Sequence, residues 1–256
     1  MARELDRYKV DIAALSETRC ADKGQPTETY GGYTFFWSGR SREERREAGV
    51  GFAIKTTHVH KLACIPEGLN DRLMKMQLPL GQKTNATLIS AYAPTMTNPN
   101  EIKDIASLPK SERLIILGDL NARVGNDHQA WPRTIGKHGV GKCNSNGLLL
   151  LSLCASHDLA ITNTMFRLPT RNKTTWMHPR SRHWHLIDYV IARAKDRRDV
   201  RVTKAMCGAD CCTDHRLIIS KLNFSIQPKR RPQGKKQQKG QMIIVRTDDL
   251  ITVSDR

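Results

Sequence analysis

The chain has 256 residues, 39% of them hydrophobic, with 42 Lys and Arg against 25 Asp and Glu and a net charge of +17. A chain of this length can form one sizeable domain, or a domain plus a tail, and the charge draws polyanions while opposing self-association, so a monomer with a nucleic-acid partner is expected. No run reaches the ~18 apolar residues of a membrane-spanning helix, which excludes that class, and the opening MARELDRYKVD has no apolar signal core.

We therefore expect an intracellular protein, nuclear or cytoplasmic and not secreted, with no membrane partner. The seven cysteines are odd in number, without framework spacing, and read as reduced thiols. Cys207, Cys211, Cys212 and His215 resemble a zinc set, but no second CxxC or HxxxH completes it. Free thiols beside a functional histidine are the expectation.

In chain order, residues 2–9 read as a short helix leading into a buried strand at 10–18. YTFFWSG and GVGFAIK read as paired strands joined by the charged RSREERREA. RLMKMQLPL and TNATLISAYAP flank the Gly81 turn, a hairpin signal. The apolar run RLIILGDLN follows, and NSNGLLLLSLCASHD carries polar N-cap candidates before an apolar helix. LAITNTMF, TTWMH, HLIDYVIA, VRVTKAM and HRLIISKLNF make a strand-rich second half. Many strands with few helices predict an α+β protein of two packed sheets flanked by helices. Composition breaks near residue 226, where QPKRRPQGKKQQKGQ brings six basic residues and no acid. We expect a domain over 1–226 and a basic, disordered tail over 227–256. The tail holds eight Lys/Arg and three Asp/Glu, so the domain keeps +12 of the charge.

Polar residues of one kind recur where apolar runs end. They are Glu17 in ALSETR, Tyr92 in SAYAPT, Asp119 and Asn121 in LGDLN, Asp188 in LIDYV, and Asp214 with His215 in TDHRL. A strand of period two would put Asp119 and Asn121 on one face. Singly, each such residue reads as a turn or core residue. Together, four acids, an amide, a phenol and an imidazole suit phosphodiester hydrolysis. Mg²⁺ takes oxygen ligands and retains waters, with Mn²⁺ as the alternative. Carboxylates position water and hold an imidazole, and cationic or N–H donors stabilise charge on the phosphate.

LSETR, AYAP, LGDLNAR, LIDYV and TDHRL occur in the order of the exonuclease–endonuclease–phosphatase superfamily, and the chain most resembles the endonuclease domains of LINE-type retrotransposons. The resemblance implies a DNase I-like four-layer α/β/β/α sandwich over residues 1 to about 226, and a Mg²⁺-dependent endonuclease acting on DNA, with RNA as a further substrate class. It implies Glu17 as the principal metal carboxylate with Asp214 near the same ion. Asp119 would position or activate water, Asn121 would bond the scissile phosphate, Tyr92 would donate to that phosphate or help form the pocket, and His215 paired with Asp188 would stabilise charge or move a proton. Arg171, Lys173, Arg180 and Arg182, interleaved with Trp176 and Trp184, would meet nucleic acid, with residues 178–183 as the tip of a groove-facing hairpin and Thr175 near the scissile site. His178, His183 and His185 receive no catalytic role.

Two departures accompany the resemblance. Sixteen residues precede Glu17 without the family's WN-type strand, so the sandwich is expected to lack its first strand, and the 93–113 segment is short. A missing central strand exposes sheet edges. Two readings follow: a retrotransposon-derived nuclease with reduced or lost activity, and a non-catalytic nucleic-acid or chromatin-associated protein that keeps the basic surface. A third, a small-molecule phosphatase, is disfavoured because HLIDYV stands where inositol phosphatases carry a WCDR-type motif.

Overall fold

Alternation along the strands decides the layering. In the first strand, Ile12 and Ala14 join one cluster of buried side chains and Ala13 and Leu15 another. The strand at 113–119 behaves alike, sending Ile115 and Leu117 to one side and Leu114 and Ile116 to the other. Strands covered on both faces need a second sheet on one side and helices on the other.

The computed structural model describes residues 1–24, 31–45, 47–81, 84–93, 112–210, 213–224 and 226–227, together with the backbone of 241–246. Helix α1 (Ala2–Arg7) leads into β1 (Ile12–Ser16), followed by β2 (Lys23–Gly24), β3 (Tyr33–Ser38), β4 (Val50–Lys55) and the short α2 (Thr56–Val59). Next come β5 (Glu67–Gly68), β6 (Leu73–Pro79), β7 (Asn85–Tyr92) and β8 (Arg113–Asp119). Helix α3 (Ser145–Ser156) precedes β9 (Leu159–Ile161), β10 (Trp176–Met177), β11 (Trp184–His185) and β12 (Asp188–Arg193). The chain then forms β13 (Val200–Met206), β14 (Leu217–Leu222) and β15 (Gln241–Arg246).

One sheet has the order β13-β14-β15-β1-β4-β3-β2, the other β5-β6-β7-β8-β12-β9, and β10-β11 form a separate ribbon. The largest apolar cluster draws on both sheets, α3 packs through Leu150, Leu151 and Cys154 on the second, and Leu5 of α1 packs on the first. This is the expected α/β/β/α sandwich. Asn144 caps α3, its side chain accepting from the Gly147 amide at 2.8 Å.

Buried hydroxyls stitch the sheets together where apolar packing alone would leave their registry loose. Ser90 Oγ donates to the Leu15 carbonyl at 3.1 Å. Thr162, Thr203 and Ser220 form a chain of hydroxyl contacts at 2.8 and 2.9 Å, tying the neighbourhood of β12 to β13 and β14. Such networks specify one arrangement of the layers.

The expected tail differs from the structure over 241–246, which form β15 in the centre of the first sheet rather than staying unpaired. The basic Gln-rich stretch before it hid a six-residue strand whose pairing is wholly long-range. Residues 228–240 and 247–256, and most of the shortened 93–113 segment, lie outside the described residues.

Among the described residues Cys64, Cys143, Cys154 and Cys207 are free thiols, whereas Cys211 and Cys212 lie outside them. Burial pushes the Cys154 thiol up to about 12. A thiol-reactive disulfide reagent at about pH 8 is therefore expected to modify exposed Cys64, Cys143 and Cys207 in native protein and to spare Cys154 until denaturant is added. Peptide mass mapping reads the difference, and equal labelling of Cys154 without denaturant would contradict it.

Candidate active site

Strand register sets up the site. β7 runs parallel to β8 with Tyr92 opposite Asp119, and β12 runs antiparallel to β8 with Asp188 opposite Asp119. One cross-strand row therefore carries a phenol and two carboxylates. Gly118 permits this close approach, since a Cβ there would lie 1.7 Å from the Ala91 carbonyl oxygen.

The other sheet supplies the facing groups. Glu17 follows the last residue of β1, with left-handed backbone at φ 53°, and is 4% exposed. The Tyr92 hydroxyl donates to its Oε1, and Arg19 Nη2 lies 3.6 Å from its Oε2. His215, just ahead of β14, turns Nδ1 to both Asp188 oxygens at 2.9 and 3.1 Å. A carboxylate only accepts, so this contact places the proton on Nδ1 and makes Nε2 the acceptor nitrogen of the neutral ring. Asp119, Asp188 and His215 are all buried.

Asp119 and Asn121 meet by a turn rather than by strand alternation. β8 ends at Asp119, and Asn121 is left-handed at φ 45°. The Asn121 backbone amide donates to Asp119 Oδ1 at 2.9 Å and its Nδ2 to Oδ2 at 3.3 Å. Asn146 of α3 holds the turn from outside, donating to the Asn121 carbonyl at 2.9 Å. The amide and the carboxylate share a location as expected, but through an Asx-type closure.

Asp119, Asp188 and His215 offer ligand atoms within 4.8 Å of one another, the group among the described residues with metal-ligand spacing. His215 Nδ1 is already bonded to Asp188, so the arrangement reads better as an acid–imidazole pair beside a second acid than as a cage. Glu17 fits a hard cation differently, as one carboxylate at a strand end near the site, leaving positions for water. Asp214 is exposed, its Oδ2 accepting from Trp176 Nε1 at 2.7 Å.

The expected nucleic-acid side falls into two groups. β10 and β11 pair Trp176 with His185 and Met177 with Trp184, so 178–183 form the tip of a two-stranded ribbon. Arg171, Arg180 and Arg182 are exposed, and Trp184 is 36% exposed beneath the Arg216 guanidinium, 3.3 Å from its ring centroid. Lys173 is half-buried, its amine donating to the His138 carbonyl at 3.1 Å. Trp176 packs beside His178, His185 and His215. A groove of about 570 Å³ lies between Asn121 and this ribbon, lined also by Arg123, Asn144, His178 and His185. Burial, with help from the charge of Arg123, pushes the His185 imidazole below its ordinary range.

Thr175 is placed inside rather than at the surface. It is fully buried, and its Oγ1 accepts from the amides of Ile187 at 3.1 Å and Asp188 at 3.3 Å. The small polar residue expected near the scissile site fixes the start of β12 beside Asp188, because those two buried amides need an acceptor. Replacing Thr175 with Ala is expected to lower unfolding free energy by about 1–3 kcal/mol, with Thr175→Ser nearly neutral. Urea titration followed by Trp fluorescence measures it, and equal stability of Ala and Ser variants would contradict the role.

Sequence reasoning missed Arg19, Asn146 and Asn163. Asn163 is buried, donating to the Asp188 carbonyl at 3.2 Å and accepting from the Val190 amide at 2.9 Å. Arg19 stands two residues after Glu17 in a motif already singled out, which is a usable signal. Asn146 reads as one of several N-cap candidates and Asn163 as an ordinary polar residue of a strand.

Comparison with known proteins bears on this geometry. A family model described as the Endonuclease/Exonuclease/phosphatase family matches residues 1–215. Craniofacial development protein 2 of Bos taurus is 33% identical over 235 residues, covering 88% of this chain and 38% of the relative. The Tragulus javanicus protein of the same name is also 33% identical, covering 88% and 39%. The chain thus spans about two fifths of the length of these curated relatives. Among solved structures, the Xenopus laevis APE2 catalytic domain superposes with a TM-score of 0.63 at 17% identity, covering 91% of this chain and 88% of that one. The endonuclease domain of TRAS1, a telomere-specific non-LTR retrotransposon, gives 0.59 at 16% identity, covering 90% and 91%.

Proposed function

The chain belongs to the endonuclease/exonuclease/phosphatase family, and on that premise we propose that it is a magnesium-dependent endonuclease of retrotransposon origin that hydrolyses phosphodiesters in DNA. The observation that carries this reading is the contact of His215 Nδ1 with Asp188 beside buried Asp119, with Glu17 joined to the same row through Tyr92.

In this reading Glu17 would hold Mg²⁺ or Mn²⁺, with Asp214 nearby. The ion would supply a Lewis acid for phosphate oxygen. Asp119 positions a water and takes its proton as the water oxygen bonds to phosphorus and the P–O3′ bond breaks; the departing oxygen takes a proton from solvent. Asn121 has a second Nδ2 hydrogen for a phosphate oxygen. His215, held in one tautomer by Asp188, presents Nε2–H when protonated and stabilises charge on the equatorial oxygens. Tyr92 steadies Glu17 and closes the pocket. The protein would act as a nuclear or cytoplasmic monomer.

Nicking of supercoiled plasmid by purified full-length protein with Mg²⁺ tests this. Conversion to open circle that stops on chelation and resumes with Mg²⁺ or Mn²⁺ is the expected result. The exposed arginines of the ribbon, with the +12 of residues 1–226, also support the second reading, a non-catalytic nucleic-acid-binding protein. Salt-sensitive DNA binding with no nicking by wild type would select it.

Both readings share one expectation. Replacing Arg180 and Arg182 together should weaken DNA binding and reduce the slope of log affinity against log salt by about 2, about 1 for each phosphate that is no longer neutralised. An unchanged slope in fluorescence anisotropy would move the DNA path off the ribbon.

A further inference from the structure

The two strands that present Glu17 and His215 are not neighbours. β15 lies between them, parallel to β1 and antiparallel to β14. Its register is continuous on both sides: Ala14 is opposite Ile244, and Ile244 opposite Ile218. Arg246 is opposite Ser16, the residue immediately before Glu17. Neighbouring strands stand about 4.8 Å apart, so an occupied slot holds β1 and β14 about 10 Å from each other. An empty slot would leave two unpaired edges in mid-sheet, and among the described residues no other strand of that sheet joins β1 to β14.

The occupant follows β14 after a long stretch of sequence. β14 ends at Leu222, and the Gln227 amide donates to the Pro79 carbonyl at 3.0 Å. Thirteen residues, 228–240, then separate Gln227 from Gln241. Adjacent antiparallel strands need a connection of only about two to five residues. A longer connection adds little closure cost. The family match ends at residue 215, so β15 lies beyond it.

We propose that the space between β1 and β14 is a strand-binding slot, that its occupant is this chain's own segment 241–246, and that docking of this strand positions Glu17 against His215. The positioning half rests on the nuclease reading; the docking half does not.

Hydrogen exchange on the intact chain tests docking without reference to activity. The amides of 242–245 are expected to exchange at least about 100-fold more slowly than in a free peptide of the same sequence, since a strand paired on both edges opens only with its sheet. Exchange at free-peptide rates would overturn the slot. Ile244→Pro in the full chain removes a ladder donor from a strand paired on both sides. It should lower nicking at least tenfold and strip protection from β1 and β14 while β6, β7 and β8 keep theirs. Added peptide of residues 240–247 should then restore kcat in a saturable manner with KM for DNA unchanged. Wild-type nicking by Ile244→Pro, or a peptide that restores protection of β1 and β14 without nicking, overturns the positioning role. Protection of β15 in a wild-type protein that never nicks leaves the slot standing and rejects the nuclease reading instead.

Discussion

Glu17→Gln is expected to cut magnesium-dependent nicking by about 1,000-fold while leaving the fold in place. Glutamine keeps the length of the side chain and an oxygen that accepts from Tyr92, so the buried contact at the end of β1 survives. What it loses is the negative charge, which also faces Arg19. A cation bound at a catalytic carboxylate is worth several kcal/mol of transition-state stabilisation, and about 4 kcal/mol corresponds to three orders of magnitude. Single-turnover nicking across a range of Mg²⁺ concentrations is the measurement. The variant should require far more metal and remain slow at saturation, with a thermal midpoint close to wild type. A loss under tenfold would remove Glu17 from the site.

Asp188→Asn should cost about 100- to 10,000-fold in kcat, and His215→Ala about the same. The carboxylate accepts from Nδ1 through both oxygens, whereas an asparagine can offer Nδ1 its amide hydrogens and favour the other tautomer. Because one residue acts through the other, the Asp188→Asn, His215→Ala double variant should be no slower than the worse single one. Losses that multiply would mean that the two side chains act independently.

The legible part of the site consists of residues that end an apolar run with a charged or hydrogen-bonding group. Glu17, Asp119, Asp188 and His215 each break a pattern that packing would otherwise continue, and each lies where β1, β8, β12 or β14 begins or ends. Tyr92 is recoverable because its strand pairs in register with that of Asp119. Thr175 is not, because a threonine between basic and aromatic residues does not reveal which way its hydroxyl points; the buried amides of Ile187 and Asp188 decide it. Period two brings Asp119 and Asn121 together for the wrong reason, since it describes a strand and the chain has already turned. The fold class follows from the strand-rich pattern, but β15 does not. A strand of six residues after a basic, Gln-rich run has little local signature, and one of its two partners, β1, lies near the opposite end of the sequence.

That separation has a consequence during synthesis. Ile12 pairs with Met242, so β1 leaves the ribosome about 230 residues before the segment that covers its edge. At about 5–20 residues per second it waits roughly 10–50 seconds, an apolar strand with one side unpaired. The nascent chain can assemble its second sheet early but cannot complete the first until residues 241–246 have emerged, and until then the open edge of β1 is a site where another strand could pair wrongly.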